Sequence, residues 1–265
     1  MAQYARAIGH PMGAIKRLTL CGGCCPLPPL QQISRGLASA AAAREVRSGM
    51  RLGLGSGRAV AAVIAALGRR IDLEGLVVSA VAASRTSARQ AQAAGISLLG
   101  EGDIEELDLG FDGADLLTED LRLIKGGGGA LVRERLVAVA CRRWVIVAEE
   151  DKLRQDLRGV SLPVAVVAFG HEATARRIEA AGLHAAVRRT ASGRVWRSDD
   201  GLVLYDCGDP SARQPEELAA TAAALPGVVD TGYFAGMADA AYVGSPQGVR
   251  RISLRRAGGH ARSGQ

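Results

Sequence analysis

Apolar and polar positions along the chain switch repeatedly between two patterns, a helical period near 3.6 residues and short continuous apolar runs. From residue 30, QQISRGLASAAAAREV has the helical period, and RLGLGSG follows as a short buried strand running into a glycine turn. RAVAAVIAALGRR then reads as an amphipathic helix, LEGLVVSAVA as a strand, SRTSARQAQAAG as a helix ended by Gly95, and ISLLG as a strand. LDLGFDGAD is a strand with an acidic end, GALVRERLVAVACRR a helix and WVIVAEED a strand. Such alternation implies an α/β fold, a mostly parallel sheet with helices on both faces.

The pattern changes at LPVAVVAFG. From there the order is strand, helix (HEATARRIEAAG), strand (LHAAVRR), strand (GLVLYDCG), helix (PEELAATAAALPG) and strand (VVDTGYF). That is the β-α-β-β-α-β order of a ferredoxin-like α+β unit. DAAYVGSPQGVRRISL then returns as one or two more strands. The expected organisation is a catalytic sheet domain made of residues 30–159 and 236–256, interrupted by an inserted domain at 160–235. Residues 1–29 read as a flexible N-terminal extension and 257–265 as a flexible tail.

Composition narrows the classes. Hydrophobic residues make up 48% of the 265 positions and aromatics only 3%, which suits closely packed α/β layers and argues against disorder. No run of about eighteen apolar residues exists to span a membrane, and the first twenty residues lack the long apolar stretch of a secretory signal. The formal charge of +6 comes from arginines scattered along the chain, so it suggests a pull on small anions and supports no nucleic-acid surface. Three of the five cysteines, Cys21, Cys24 and Cys25, have a superficial metal-ligand spacing. A closed zinc site needs about four ligands, and no Cys/His pair stands nearby, so no metal is expected. An odd cysteine count without a framework fits a reducing compartment, which makes the cytoplasm the expected location.

Three segments fall where strands end and ligands of open α/β sheets bind. GLGSGRAV, Gly53 to Val60, is a glycine turn in which backbone N–H groups, a helix N-terminus, Ser56, Gly57 and Arg58 can face an anion; it is equally a structural turn. It matches neither the P-loop nor the dinucleotide fingerprint. FDGAD places Asp112 and Asp115 close together, either as an acid/base pair or as a solvated loop and helix cap. IKGGGGALVRE sets Lys125 before four glycines and Glu134 after them, either as a loose linker or as a turn that lies against a small substrate. If a helix starts near Gly129, Glu134 faces back towards the glycines. A carboxylate base, a cation for a developing oxyanion and an anion cradle would then converge, which suits proton transfer beside a carbonyl.

These segments resemble the ribose-5-phosphate isomerase type A family. Its DGADE and KGGGAALTRE are matched by Asp112-Gly-Ala-Asp115 and by Lys125 through Glu134. WVIVAEEDK, LPVAVVAF, DDGLVLYD and LPGVVDTGYFAGMADAAYVGSPQGV are similar to further family segments in the same order, so the resemblance covers about residues 31–252. It implies a Rossmann-like domain with a ferredoxin-like insert. It also implies interconversion of ribose 5-phosphate and ribulose 5-phosphate through a cis-enediolate, with no metal or redox cofactor. Glu134 would be the general base and Lys125 would stabilise oxygen charge. Asp112 and Asp115 would assist ring opening and hold hydroxyls. Lys152 matches a family lysine near the substrate, and Arg35 stands where the family has a phosphate-contacting lysine. Gly126, Gly127 and Gly128 would lie against the sugar. A homodimer or homotetramer is implied too.

The phosphate end departs from the family pattern. GxGTGSTA is here GLGSGRAV, with Arg58 for serine and Ala59 for threonine; the second hydroxyl-rich loop keeps Ser84 and Ser87 and adds Arg85. Alanine has become Gly129 and threonine Val132. Arg58 could grip phosphate bidentately, read a second anionic group, or point to solvent. Three functions therefore stay open: the isomerase itself, a paralogue acting on a modified pentose phosphate, and a catalytically silent sugar-phosphate-binding protein.

Overall fold

A computed structural model describes residues 29–209 and 211–254. The cluster Cys21, Cys24 and Cys25 lies outside the described residues. The chain begins with helix α1 (Leu30–Ala43), then β1 (Arg51–Leu54), α2 (Gly57–Glu74), β2 (Ser79–Ala82), α3 (Arg85–Ala93) and β3 (Ser97–Leu98). Next come β4 (Leu109–Asp112), a hairpin of β5 (Leu116–Thr118) and β6 (Leu123–Ile124), α4 (Leu131–Ala140), β7 (Trp144–Glu149) and β8 (Leu153–Arg154). The remainder is β9 (Leu162–Val166), α5 (His171–Ala180), β10 (His184–Val187), β11 (Val203–Gly208), α6 (Pro215–Ala223), β12 (Val228–Thr231), β13 (Tyr233–Phe234), β14 (Ala240–Ser245) and β15 (Gly248–Ser253).

Seven strands form the main sheet in the order β15-β14-β7-β4-β1-β2-β3, parallel except for the β14–β15 hairpin. Its central strands are buried on both faces, which explains their continuous apolar sequence. In β7, Val145 and Val147 join the core beneath α1 and α2, with Leu52, Leu54, Val60 and Phe111. The intervening Trp144, Ile146 and Ala148 join a second core with Val137 of α4, Leu107 and Phe234. This is the period of two that a strand imposes. From β1 the chain winds outwards through β2 and β3, then returns to β4 on the other side of β1. The carboxyl ends of β1 and β4 therefore flank the switch point where open α/β sheets leave a crevice.

Residues 162–231 build a four-stranded sheet ordered β10-β11-β9-β12, antiparallel at every pair, with α5 and α6 in the β-α-β-β-α-β succession expected of a ferredoxin-like unit. Its own core holds Leu162, Val164, Val166, Ile178, Tyr205 and Leu218. The alternate residues Ala165 and Leu204 pack instead into the second core of the main sheet. The α/β class with an antiparallel α+β segment thus stands as expected. A further small sheet, β13-β6-β5-β8, has no counterpart in the sequence reading. It splits VVDTGYF between two sheets, because Thr231 ends β12 and Tyr233 starts β13.

Candidate active site

β4 ends in Asp112, which is 1% exposed. A carboxylate can be seated there because its neighbour across the turn is Gly55, where a Cβ would lie 2.0 Å from Asp112 Cγ. Asp112 Oδ1 accepts hydrogen bonds from the N–H groups of Gly113 (2.8 Å) and Ser56 (3.3 Å). The β5–β6 hairpin then carries the chain out and back, so that Lys125 returns to Asp112. The Lys125 ammonium is buried, 3.0 Å from Asp112 Oδ2 and 3.2 Å from Glu134 Oε2, and donates to the Gly113 carbonyl at 2.6 Å. Trp144 and Phe234 form its apolar wall, with both ring centroids 5.7 Å from Nζ.

Glu134 lies in the first turn of α4 and is 4% exposed. Gly129 does not open that helix: it has φ +82°, and helical geometry begins at Leu131. Ser56 Oγ donates to Glu134 Oε1 at 2.5 Å, so the N-cap serine of α2 leaves its own helix end without a side-chain cap. An uncapped helix N-terminus keeps backbone N–H groups available to an anion.

Burial and the neighbouring Glu134 charge push the Asp112 carboxyl up to about 7, with Lys125 opposing them in part. For Lys125, burial works against the charge, but Asp112 and Glu134 outweigh it and hold the ammonium above its ordinary range. Two carboxylates with one ammonium would leave a buried net charge, so a proton retained on Asp112 makes the cluster neutral.

A cleft of about 340 Å³ opens over this cluster. Gly126, Gly127 and Gly128 form one wall, and Asp115 fixes that wall by accepting from the Gly127 N–H at 2.6 Å. Arg35 of α1, Arg58 at the start of α2 and Lys152 also line the cleft, together with Ser56 and Gly57. Arg58 is exposed at the rim. Arg35 and Lys152 share one buried partner, Glu149 at the end of β7, at 2.5 Å from Arg35 Nε and 3.4 Å from Lys152 Nζ. Burial opposes charge on Glu149, yet Lys152 and Arg35 together hold its carboxyl below the ordinary range. Lys152 also donates to the Ala114 carbonyl at 2.8 Å.

All but one of the residues expected at the site line this cleft. The exception is Ser84, whose hydroxyl caps α3 by accepting from the Ser87 N–H at 3.0 Å. Ser84 therefore serves helix α3 rather than the cleft wall. Glu149 is the residue that sequence reading missed. Its sign was an acid closing a wholly apolar strand three positions before Lys152, but its other partner, Arg35, is 114 residues away. Among the described residues no group of three or more His, Cys, Asp or Glu side chains is placed to hold a metal ion, and no helix is long and apolar enough to cross a membrane.

A buried ammonium clamped between two carboxylates, under a cleft rimmed by cations at an α/β switch point, is the arrangement of an enzyme site suited to proton transfer on a small anion. A family profile described as ribose 5-phosphate isomerase A (phosphoriboisomerase A) matches residues 79–248. The chain belongs to the ribose 5-phosphate isomerase A family. It is 40% identical to the ribose-5-phosphate isomerase A of Parvibaculum lavamentivorans over 210 residues, 77% of this chain and 90% of that protein. Identity to the Methylorubrum extorquens ribose-5-phosphate isomerase A is 43% over 209 residues, 77% of this chain and 88% of that one. The solved ribose 5-phosphate isomerase A of Methanocaldococcus jannaschii superposes with a TM-score of 0.77 at 30% identity, covering 83% of this chain and 98% of that structure.

Proposed function

We propose that this chain interconverts D-ribose 5-phosphate and D-ribulose 5-phosphate by proton transfer through a cis-enediolate. The observation that supports it best is the buried Lys125 ammonium, 3.0 and 3.2 Å from two carboxylates at the floor of the cationic cleft. In this reading the open-chain aldose lies along the Gly126–Gly128 wall. Glu134 takes the proton from C2. The C–H electron pair forms the C1–C2 double bond, and the carbonyl pair moves onto O1. Lys125 balances the charge on the two oxygens, and the protonated Asp112 supplies and recovers an oxygen-bound proton during ring opening and enediolate decay. Glu134 then returns its proton to C1, giving the ketose. Electrons are redistributed within one molecule, so the reaction balances without an external oxidant or reductant. Asp115 holds hydroxyls beside the glycines. The phosphate takes the cationic end, where Arg35, Arg58 and Lys152 meet the N-terminus of α2. A guanidinium at position 58 replaces lost hydroxyl contacts with a charge-assisted pair.

The proposal extends to the division of the chain, with 30–159 and 236–256 as the catalytic domain and 160–235 as the insert; the separate sheet of 162–231 supports it, while β13 (Tyr233–Phe234) pairs with β6 on the catalytic side. It also includes a homodimer or homotetramer, supported by the family resemblance, and a cytoplasmic location, supported by the cysteine pattern.

The deciding experiment follows ribulose 5-phosphate formation by the purified chain and by Glu134→Gln, with ribose 5-phosphate binding measured by calorimetry. The wild type should turn over and the variant should lose about 10³-fold in kcat, within the range for a general acid–base group, while its affinity stays within a few-fold. Near-normal turnover by the variant would refute the base assignment, and a wild type silent at millimolar substrate would refute the activity.

A further inference from the structure

The glycine wall of the cleft is gripped from the antiparallel sheet by the connection between β10 and β11. Residues 188–203 form a double hairpin, two successive short hairpins closed by the bridges Arg189–Val195 and Arg197–Val203. It reaches the catalytic side at several points. Arg188 Nη1 donates to the carbonyls of Gly126 (2.7 Å) and Gly127 (3.2 Å), while Nε of the same guanidinium is held by Asp206 at 3.1 Å. Asp199 accepts from the Arg85 N–H at 2.9 Å, and Asp200 pairs with Arg133 of α4 at 2.7 Å. The half-buried Trp196 indole lies directly on Gly129, where a Cβ would sit 2.0 Å from Cη2 and 2.6 Å from Cζ3. In the family pattern this position is alanine; here the indole takes the volume that a methyl group would need.

Four consecutive glycines are the costliest backbone to order and bring no side chains with which to pack themselves. Their conformation must be imposed by neighbours. Asp115 supplies one restraint, through the Gly127 N–H. Gly129 N–H also closes a turn onto the Gly126 carbonyl at 2.9 Å. We infer that the double hairpin supplies the decisive further restraints: Trp196 and Arg188 are positioning residues that fix Gly126–Gly129, and through them the spacing of Lys125 and Glu134. This rests on the site assignment proposed above. Displacements of about 1 Å in a catalytic constellation cost up to about 10²-fold in rate, so loss of the indole is read in kcat before it is read in affinity.

The test compares Trp196→Ala, Trp196→Phe and Arg188→Gln, each melted thermally to confirm folding. Trp196→Ala should lose about tenfold in kcat with KM changed less than threefold. Trp196→Phe, which keeps a ring over Gly129, should recover most of that loss. A second arm uses tryptophan emission, since Trp144 and Trp196 are the two tryptophans of the chain. In the Glu134→Gln background, ribose 5-phosphate should shift the emission, and adding Trp196→Phe should remove the part of the shift that Trp144, beside Lys125, does not supply. Wild-type kcat and KM in Trp196→Ala would overturn the inference. So would an absent emission shift, or one of unchanged size in Trp196→Phe, which would assign it wholly to Trp144 beside Lys125. If Trp196→Ala fails to fold, Arg188→Gln and the emission arm decide. Turnover by Glu134→Gln would refute the site assignment whatever the hairpin does; an inactive Glu134→Gln beside a normal Trp196→Ala refutes the hairpin alone.

Discussion

Asp112 is buried beside Glu134, and Lys125 offsets only part of the resulting cost, so its carboxyl titrates near 7 rather than at the ordinary 3.8. Between about pH 4 and pH 7 the folded chain therefore keeps a proton that the unfolded chain has released. The contribution of this group to stability falls as pH rises through that window and levels off above it. Three pKa units correspond to at most about 4 kcal/mol. Asp112→Asn removes the titration, so its melting temperature should gain on the wild type from pH 4 to pH 8. A difference that stays constant across that range would refute the assignment. Glu149 behaves oppositely. Its carboxyl is held low by Lys152 and Arg35 against burial, so what it contributes is present at neutral pH and lost in acid.

The turn between β1 and α2 shows how an element serves two ends of a site. Its glycines read as an anion cradle in the sequence, but Gly55 has a different task, leaving room for the Asp112 carboxylate. Gly55→Ala should force that carboxylate aside, lowering kcat/KM by about 10²-fold and stability by about 1–3 kcal/mol, as measured by steady-state kinetics and urea unfolding. A variant with wild-type kcat/KM would show that Asp112 has other room to occupy. The long elements of the main sheet were legible because each is a strong apolar run or a 3.6-residue stripe, with Gly75 and Gly95 marking the ends of α2 and α3. The β5–β6 hairpin was not. Its turn carries no Asn-Gly or Asp-Gly signal, and the residue that takes positive φ is Leu121, at 59°. Nor could the small sheet be read, since its strands are two or three residues long and come from four separate segments. The acids, Lys125 and Glu134 were still legible as a set, because their chemistry is carried by residue type and spacing. Their closure into one cluster depends on the hairpin.

At the scale of the molecule, α4, the helix of the candidate base, is also the joint between the main sheet and the antiparallel one. Glu134 points into the cleft, while its neighbour Arg135 reaches the other way. The Arg135 guanidinium lies 3.9 Å from the Phe234 ring centroid, pairs with Asp230 at 2.6 Å, and donates to the carbonyls of Thr231 (2.8 Å) and Tyr233 (2.9 Å). One cation thus ties the helix of the candidate base to β12 of the antiparallel sheet and to β13 of the small sheet. Ala165 and Leu204 add apolar contact across the same boundary by joining the second core. With both links intact, the two parts should unfold in a single transition, because neither can lose its packing without exposing the other's. Arg135→Met keeps most of the bulk over Phe234 but leaves Asp230 and two carbonyls without their donor. Breaking a buried pair costs about 3–5 kcal/mol; Arg135 retains 27% of its side-chain exposure, so solvent screens part of that loss. A loss of about 2–3 kcal/mol is expected, seen in urea unfolding as a lower midpoint and a broadened transition in which the antiparallel sheet melts first. A midpoint and slope equal to the wild type would mean that the apolar contacts alone hold the two sheets together.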